Sequence, residues 1–142
     1  MKKDISLRVA TTVKAPRSKV FEAWTKPEIL AKWFAPGPRT PVPEVLDVKP
    51  GGKFRIMMQG DEDAPVAVGE YRDVQRNEKL VFTWGWGGDP SQPTLVTVTF
   101  ADVTGGTEVV LRHERFAAAD TRDHHRQGWE AILQKLVGQF SN

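Results

Sequence analysis

Histidine is the residue of this chain best suited to acid–base chemistry, because its side chain titrates near neutral pH without help from its surroundings. The sequence has three histidines, His113, His124 and His125. His113 is in phase with apolar residues on a predicted strand, so it could face a cavity as a hydrogen-bond donor, ligand anchor or general base. The commoner role of such a residue, and the one we favour, is a core histidine with both ring nitrogens bonded.

Glu70 is the second candidate for acid–base chemistry. Glu70 shares one face of the predicted strand with Val66, Val68 and Val74. If these valines face the core, Glu70 faces it too. If Glu70 faced inward, burial would raise its pKa and make it a possible general acid. The alternative that we favour is a salt bridge with Arg55, Arg72 or Arg112.

Metal and nucleophile sites are not predicted. His124 and His125 are neighbours on a predicted helix, where successive side chains diverge by about 100°, so they are poorly placed to hold one metal ion together. An ion pair between His124 and Asp120 is the favoured interpretation. The absence of cysteine excludes disulfides, zinc fingers and iron–sulfur clusters, and no nucleophile or phosphate-binding motif is present. We expect no metal and no cofactor.

The composition is that of an ordinary globular protein. The chain has 142 residues, 39% of them hydrophobic and 27% charged, with a formal net charge of +2. This length favours a single domain over 1–142. Basic residues are scattered among acidic ones, so nucleic-acid binding is not predicted. No segment reaches the roughly 20 apolar residues of a membrane span, and residues 1–13 lack the apolar run of a signal peptide, so we expect a cytoplasmic protein.

Alternating apolar residues and turn signals predict seven strands. The strands are expected at 5–13, 42–48, 53–59, 66–74, 80–86, 94–103 and 107–116. Two short helices are expected between the first two strands. One covers about 16–24, and the other follows a capping box at 25–28 and carries Trp33 and Phe34.

The C-terminal segment carries an apolar stripe at helical spacing. It predicts a helix of about 20 residues with Asp120 as its N-cap, and the stripe consists of Trp129, Ile132, Leu133, Leu136, Val137 and Phe140. The order of elements predicts an α+β domain in which the helices pack on one face of an antiparallel sheet. Such a curled sheet and helix could enclose a cavity for an apolar ligand.

Ordered segments along nearly the whole chain resemble one family. The segments are APRSKVFEAWTKPEILAKWFAPG at 15–37, PGGKFRI at 50–56, VGEYRDV at 68–74, EKLVFTWGW at 78–86, TLVTVTF at 94–100, GGTEVVLRHERF at 105–116 and HRQGWEAILQKL at 125–136. The set is similar to the AHSA1-like (activator of Hsp90 ATPase homologue) family of the START/Bet v 1-like, or SRPBCC, superfamily. The resemblance implies the helix-grip fold: a curved antiparallel sheet of about seven strands around a long C-terminal helix, with an internal cavity.

The resemblance also implies a binding function. Relatives in the superfamily hold lipids, sterols, plant hormones or polyketide intermediates in the cavity, and some act on them chemically. We therefore expect this chain to bind a small hydrophobic or amphipathic ligand, and we favour a binding protein over an enzyme. The residues expected to line the cavity are Trp33, Phe54, Met58, Trp84, Trp86, Val98, Leu111, His113 and Trp129.

Two alternatives remain open. The first is a cyclase/dehydratase or hydrolase that uses His113 or Glu70 in the same cavity. The second is a protein-interaction module, either a chaperone accessory or a homodimer, with the loop 86–93 as the expected surface. Contact with Hsp90 is not expected, because in the eukaryotic co-chaperone a further N-terminal domain carries much of that contact, whereas this chain begins at its first strand.

Overall fold

Seven β-strands form one antiparallel sheet in the computed structural model, which describes residues 5–60, 64–88 and 93–140. The strands are β1 (Leu7–Val13), β2 (Thr40–Leu46), β3 (Lys53–Gln59), β4 (Val66–Gln75), β5 (Lys79–Trp86), β6 (Thr94–Val103) and β7 (Gly106–Glu114). Their order across the sheet is β1-β7-β6-β5-β4-β3-β2. Strands that follow one another from β2 to β7 are therefore neighbours, as the short predicted turns require.

Three helices complete this part of the chain: α1 (Arg17–Thr25), α2 (Pro27–Leu30) and α3 (Ala119–Gln139). The sheet curls around α3, whose Trp129, Ile132, Leu133 and Leu136 are buried. The predicted α+β helix-grip architecture is thus confirmed. Within the same described ranges, no helix combines the length and apolar character needed to cross a membrane.

Alternation along the strands buries one face of the sheet. On β5, for example, Leu80, Phe82 and Trp84 are buried while the residues between them are partly exposed. The same period of two holds on β3, β6 and β7, where the buried residues are Phe54, Ile56, Met58, Val96, Val98, Phe100, Val109, Leu111 and His113. These strands present to the interior the faces that the sequence pattern predicted.

The predicted second helix is shorter than expected and has no capping box. Thr25 Oγ1 donates a hydrogen bond to Phe21 O at 3.0 Å within α1, so it does not cap α2, which begins without a side-chain cap. The helix ends at Leu30, and Trp33 and Phe34 lie in the turn that follows. Both rings are buried there.

Asp120 is not the N-cap of α3. The helix begins at Ala119 with Ala118 in the cap position, so both lie two residues earlier than an Asp120 cap requires. Asp120 lies in the first turn, where its Oδ1 accepts the backbone N–H of Thr121 at 2.8 Å. A carboxylate at this position still interacts favourably with the helix dipole, so the residue marks the helix start without capping it.

A bulge in β4 accompanies the outward placement of Glu70. The register between β4 and β5 shifts between Tyr71 and Asp73. Tyr71 is buried on the core face, whereas Glu70 is partly exposed and its Oε2 accepts a hydrogen bond from Arg72 Nη1 at 3.4 Å. Glu70 is therefore not an inward-facing acid; it forms the salt bridge that the sequence favoured.

Some predicted connections lie partly outside the described residues. These are the turn at 60–63 and the loop at 86–93. Gly87 and Gly88, at the start of that loop, form a turn after β5. The loop's predicted role as an interaction surface stays a prediction.

Gly69 in β4 makes room for an aromatic ring on the neighbouring strand. A Cβ at this position would lie 2.0 Å from Thr83 O and 2.4 Å from the ring of Phe54. A Cβ on Gly85 in β5 would meet no atom closer than 3.9 Å. The two glycines therefore differ in how tightly their surroundings are packed.

Gly69→Ala is expected to lower the free energy of unfolding by about 2–3 kcal/mol, because the Phe54 ring or the strand must shift to admit a methyl group. Gly85→Ala is the matched control and should be neutral or stabilising by up to about 1 kcal/mol. Urea denaturation followed by circular dichroism measures both changes. Equal unfolding midpoints for the two variants would contradict the close packing at Gly69.

Candidate functional site

A cavity of about 380 Å³ lies between β3, β5 and α3. Its size is near the lower end of the roughly 300–1,000 Å³ that small-molecule pockets span. The lining comes from the segment after α2, from the three elements just named and from the residue before β4. The lining residues are Pro36, Arg39, Met58, Pro65, Trp84, Trp86, His124, His125, Gly128, Trp129 and Ile132.

Three tryptophans form much of the cavity wall. The ring centroid of Trp84 lies 5.0 Å from that of Trp129 and 5.5 Å from that of Trp86. Trp84 and Trp129 are buried, whereas Trp86 is half-buried. With Met58 and Ile132 beside them, these rings offer a large apolar surface and aromatic faces for stacking.

A hydrogen bond between Trp86 and His125 joins β5 to α3 at the cavity wall. Trp86 Nε1 lies 3.2 Å from His125 Nε2, and His125 Nδ1 lies 2.9 Å from Thr121 O. The indole can only donate and the carbonyl can only accept. His125 therefore carries its proton on Nδ1, and both of its ring nitrogens are used.

His113 is the buried centre of a second hydrogen-bond chain. Trp129 Nε1 donates to His113 Nδ1 at 3.0 Å, and His113 Nε2 lies 2.6 Å from Thr94 Oγ1. Because Nδ1 accepts, the neutral ring has its proton on Nε2 and donates it to Thr94. Thr94 Oγ1 in turn donates to Trp84 O at 3.0 Å. This chain connects α3 with β7, β6 and β5, and it satisfies both nitrogens of His113.

Burial keeps both imidazoles neutral. It lowers the pKa of His113 to about 3, and the nearby His125 acts in the same direction. Burial is also the main cause that lowers the pKa of His125. The two ring centroids are 5.3 Å apart, so a charge on either ring would disfavour a charge on the other. At neutral pH neither ring is charged.

Two cations hold the segment after α2 against the cavity. Lys135 Nζ, on α3, donates to Ala35 O at 2.6 Å and also to Gly37 O. Burial lowers the pKa of Lys135. Arg39 Nη1 donates to Met58 O at 3.2 Å. The cavity rim at Pro36 is therefore tied to both α3 and β3.

Two buried indole N–H groups have no hydrogen-bond partner among the described residues: those of Trp24 and Trp84. Unpaired buried donors are few in native proteins and cost free energy. Trp84 lines the cavity. Trp24 instead belongs to the aromatic core, where its ring centroid is 4.8 Å from that of Trp33.

Four of the nine residues predicted to line a cavity do so: Met58, Trp84, Trp86 and Trp129. Among the described residues, the other five are packed in the core away from this space: Trp33, Phe54, Val98, Leu111 and His113. Phe34 explains part of this difference, because its ring centroid lies 5.2 Å from that of Trp33 and 6.1 Å from that of Trp84. It fills space that the sequence pattern left open. A binding role for any of the nine stays a prediction.

The sequence interpretation missed most of the α3 contribution. His125, Gly128 and Ile132 line the cavity together with Trp129. His125 lies four residues before Trp129, which places the two side chains on the same helix face. Extending the apolar stripe by one turn toward the N-terminus would have found it.

Neither predicted acid–base residue lines the cavity. Both nitrogens of His113 are used within the core, and Glu70 is paired with Arg72 at the surface. Among the residues that the structure describes, no group of three or more histidine, aspartate or glutamate side chains is arranged to hold a metal ion. An acid–base step in the cavity would therefore need groups other than those predicted.

A family model matches residues 14–140 of the chain, that of the Activator of Hsp90 ATPase homolog 1-like protein. The chain belongs to this family. The family predicted from the ordered sequence segments is thereby confirmed. No curated protein matches the chain.

Solved structures share the fold of this AHSA1-like chain. Protein CV1439 from Chromobacterium violaceum superposes with a TM-score of 0.88 at 20% identity, over 97% of this chain and 98% of that one. The AHSA1 protein SPO3351 from Silicibacter pomeroyi has a TM-score of 0.84 at 21% identity, over 94% and 96%. DynU16, a protein of the dynemicin biosynthetic locus, has a TM-score of 0.79 at 21% identity, over 95% and 46%. At these identities the likeness shows the fold.

The neutral state of His113 predicts a loss of stability as pH falls. Its pKa of about 3 in the folded chain is below the value near 6.5 of an unfolded histidine. The unfolded state therefore binds more protons below about pH 6.5, and the free energy of unfolding falls as pH drops toward 3, by up to about 1.4 kcal/mol per pH unit from this residue. Urea midpoints at pH 7, 6 and 5 measure the slope.

His113→Gln should be less stable than the parent at pH 7, because Trp129 and Thr94 lose their common partner. It should also show a shallower pH slope. His124→Gln, which changes an exposed histidine of the same α3, is the control and should keep the parental slope. A parental slope in His113→Gln would overturn the assignment of a neutral, buried His113.

Trp86→Phe is expected to raise the pKa of His125. The substitution keeps an aromatic ring but removes the N–H that donates to His125 Nε2, and this bond favours the neutral imidazole. The Hε1 resonance of His125, followed by proton NMR between pH 8 and 4, reports the pKa. Val81→Ala, on the opposite face of β5, should leave the pKa unchanged. If Trp86→Phe also leaves the titration unchanged, the bond does not form in solution.

Proposed function

We propose that this AHSA1-like chain binds a small, mainly apolar molecule in the cavity between β3, β5 and α3. The observation that carries the proposal is the cavity of about 380 Å³ with three tryptophans in its wall. A space of this size lined by aromatic rings is suited to a ligand of limited size with a flat or aliphatic body.

The charge state of the wall supports an uncharged or weakly polar body. Burial keeps His125 neutral, and the neighbouring indoles are neutral by nature. A buried charge on the ligand would lose its hydration without gaining an opposite charge from these rings. Arg39 and the exposed His124 stand where the wall carries polar groups, so the polar end of an amphipathic ligand fits toward them.

The comparisons support a ligand-binding scaffold in general. The chain belongs to the AHSA1-like family, and the helix-grip fold surrounds an interior space by its construction. DynU16, which shares this fold, is a protein of a biosynthetic locus. The occurrence of this fold in a protein of a biosynthetic locus supports small-molecule binding over a purely structural role.

Gly128 provides a direct test of the cavity. It lines the space from α3, and a Cβ at this position would meet no atom within 4 Å. A leucine there would extend into the cavity while removing a glycine from a helix interior. Gly138, near the end of the same helix, also has open space around it and is exposed, but it does not line the cavity.

Gly128→Leu is expected to weaken binding at least tenfold and to raise the free energy of unfolding by about 0.5–1 kcal/mol through helix propensity. Gly138→Leu should give a similar gain in stability with unchanged binding. The probe is 1-tetralone, a bicyclic ketone, titrated against the five indole N–H signals in ¹H–¹⁵N NMR spectra. Native mass spectrometry of the protein purified without detergent tests for a copurified molecule.

Two results would contradict the proposal. One is parental affinity for 1-tetralone in Gly128→Leu, because binding would then occur elsewhere. The other is an absence of tetralone binding combined with a clean protein mass after purification. A copurified mass of a few hundred daltons that is lost in Gly128→Leu and retained in Gly138→Leu would support it.

A further inference from the structure

Several hydrogen-bond acceptors around the cavity are already engaged. His125 Nε2 accepts the indole N–H of Trp86 at 3.2 Å, and its other nitrogen bonds to Thr121 O. Three backbone carbonyls of lining residues also accept hydrogen bonds: Met58 O from Arg39, Pro65 O from Met58 N, and Trp84 O from Thr94. A ligand that needs to donate a hydrogen bond therefore meets partners that are in use.

The donors differ from the acceptors in one respect. The indole N–H groups of Trp86 and Trp129 are used, one on His125 and the other on His113. The indole N–H of Trp84 is buried and has no partner among the described residues. Trp84 is 3% exposed and lines the cavity. Of the three tryptophans in the cavity wall, Trp84 is therefore the one with an unused indole donor.

We propose that the molecule bound in this cavity carries an uncharged hydrogen-bond acceptor, a carbonyl oxygen, which takes the indole N–H of Trp84. The inference rests on the proposed function and names the polar group of the ligand. Nε1 of Trp84 has no accessible surface in this structure, so the proposal includes a tilt of the indole ring toward the cavity when the acceptor binds. Trp84 borders the cavity.

The gain in binding free energy comes from giving a buried, unpaired N–H group a hydrogen-bond acceptor. An unpaired buried N–H costs free energy in the folded chain, and a ligand oxygen removes this cost when it binds. A hydrocarbon of the same shape leaves the donor unpaired. The cavity should therefore favour a ligand with an acceptor oxygen over a hydrocarbon of the same shape. The difference in affinity should exceed the one that their free energies of transfer from water to an apolar solvent predict.

A pair of matched probes tests this inference. The probes are 1-tetralone and tetralin, which share a bicyclic body and differ by the ketone oxygen. The measured quantity is the ratio of their dissociation constants, Kd(tetralin)/Kd(1-tetralone), in three proteins: the parent, Trp84→Phe and Trp24→Phe. Trp24→Phe is the control, because Trp24 also has an unpaired buried N–H but does not line the cavity.

The expected result is a ratio that falls about tenfold in Trp84→Phe and stays unchanged in Trp24→Phe. Comparing ratios removes the difference in hydrophobicity between the probes. A second measurement needs no variant: the indole proton resonance of Trp84 should move downfield with 1-tetralone and not with tetralin. This readout decides the question even if Trp84→Phe folds poorly.

Failure of this inference and failure of the proposed function give different results. If both probes bind at the cavity with the same ratio in all three proteins, and the Trp84 resonance responds equally to both, the acceptor inference is overturned and the binding function stands. If neither probe binds the parent protein and the protein purified without detergent has a clean mass, the cavity holds no such molecule, and both proposals are overturned.

Discussion

The hydrogen-bond chain through His113 is the constraint on which the rest of the structure depends. This chain of three hydrogen bonds passes through an apolar core. It runs from Trp129 on α3 through His113 and Thr94 to the backbone carbonyl of Trp84. Buried polar groups are tolerated when their partners are all present. The helix and three strands must therefore keep one relative position, and this position sets the 5.0 Å separation between the Trp84 and Trp129 rings.

Burial decides the chemical character of the cavity. It lowers the pKa of both His113 and His125, and a neutral imidazole can accept an indole N–H whereas an imidazolium cannot. Neutrality and the two tryptophan bonds thus stabilise each other. The outcome is a wall of aromatic rings in which the buried indole N–H of Trp84 has no partner among the described residues. This character favours binding by shape and one polar contact.

Aromatic packing explains why the cavity occupies only part of the interior. Trp33 and Phe34 leave the helix that the sequence predicted for them and fill the space beside Trp24. On the other side, Gly128 is a position of α3 in the cavity wall that has no side chain. The aromatic rings fill one end of the interior, and the missing side chain at Gly128 leaves the cavity open at the other end. Structures at 20–21% identity share the backbone arrangement, so the chemical character of the cavity depends on the lining residues of this chain.

The sequence by itself determined the order of elements, the inward faces of four strands and the family, because period-two and helical patterns reflect burial directly. It did not separate residues that line the cavity from residues that fill the core. Trp84 lines the cavity and Phe54 fills the core, although the alternation along their strands predicts the inner face of the sheet for both. It also misjudged Thr25, whose hydroxyl bonds back into α1. It left the direction of Glu70 open, and the structure places Glu70 on the outer face because Ala67 and Tyr71 of the same strand are buried. Only the tertiary structure decided these points, because they depend on which distant side chain, such as Phe34 or His125, reaches the same place.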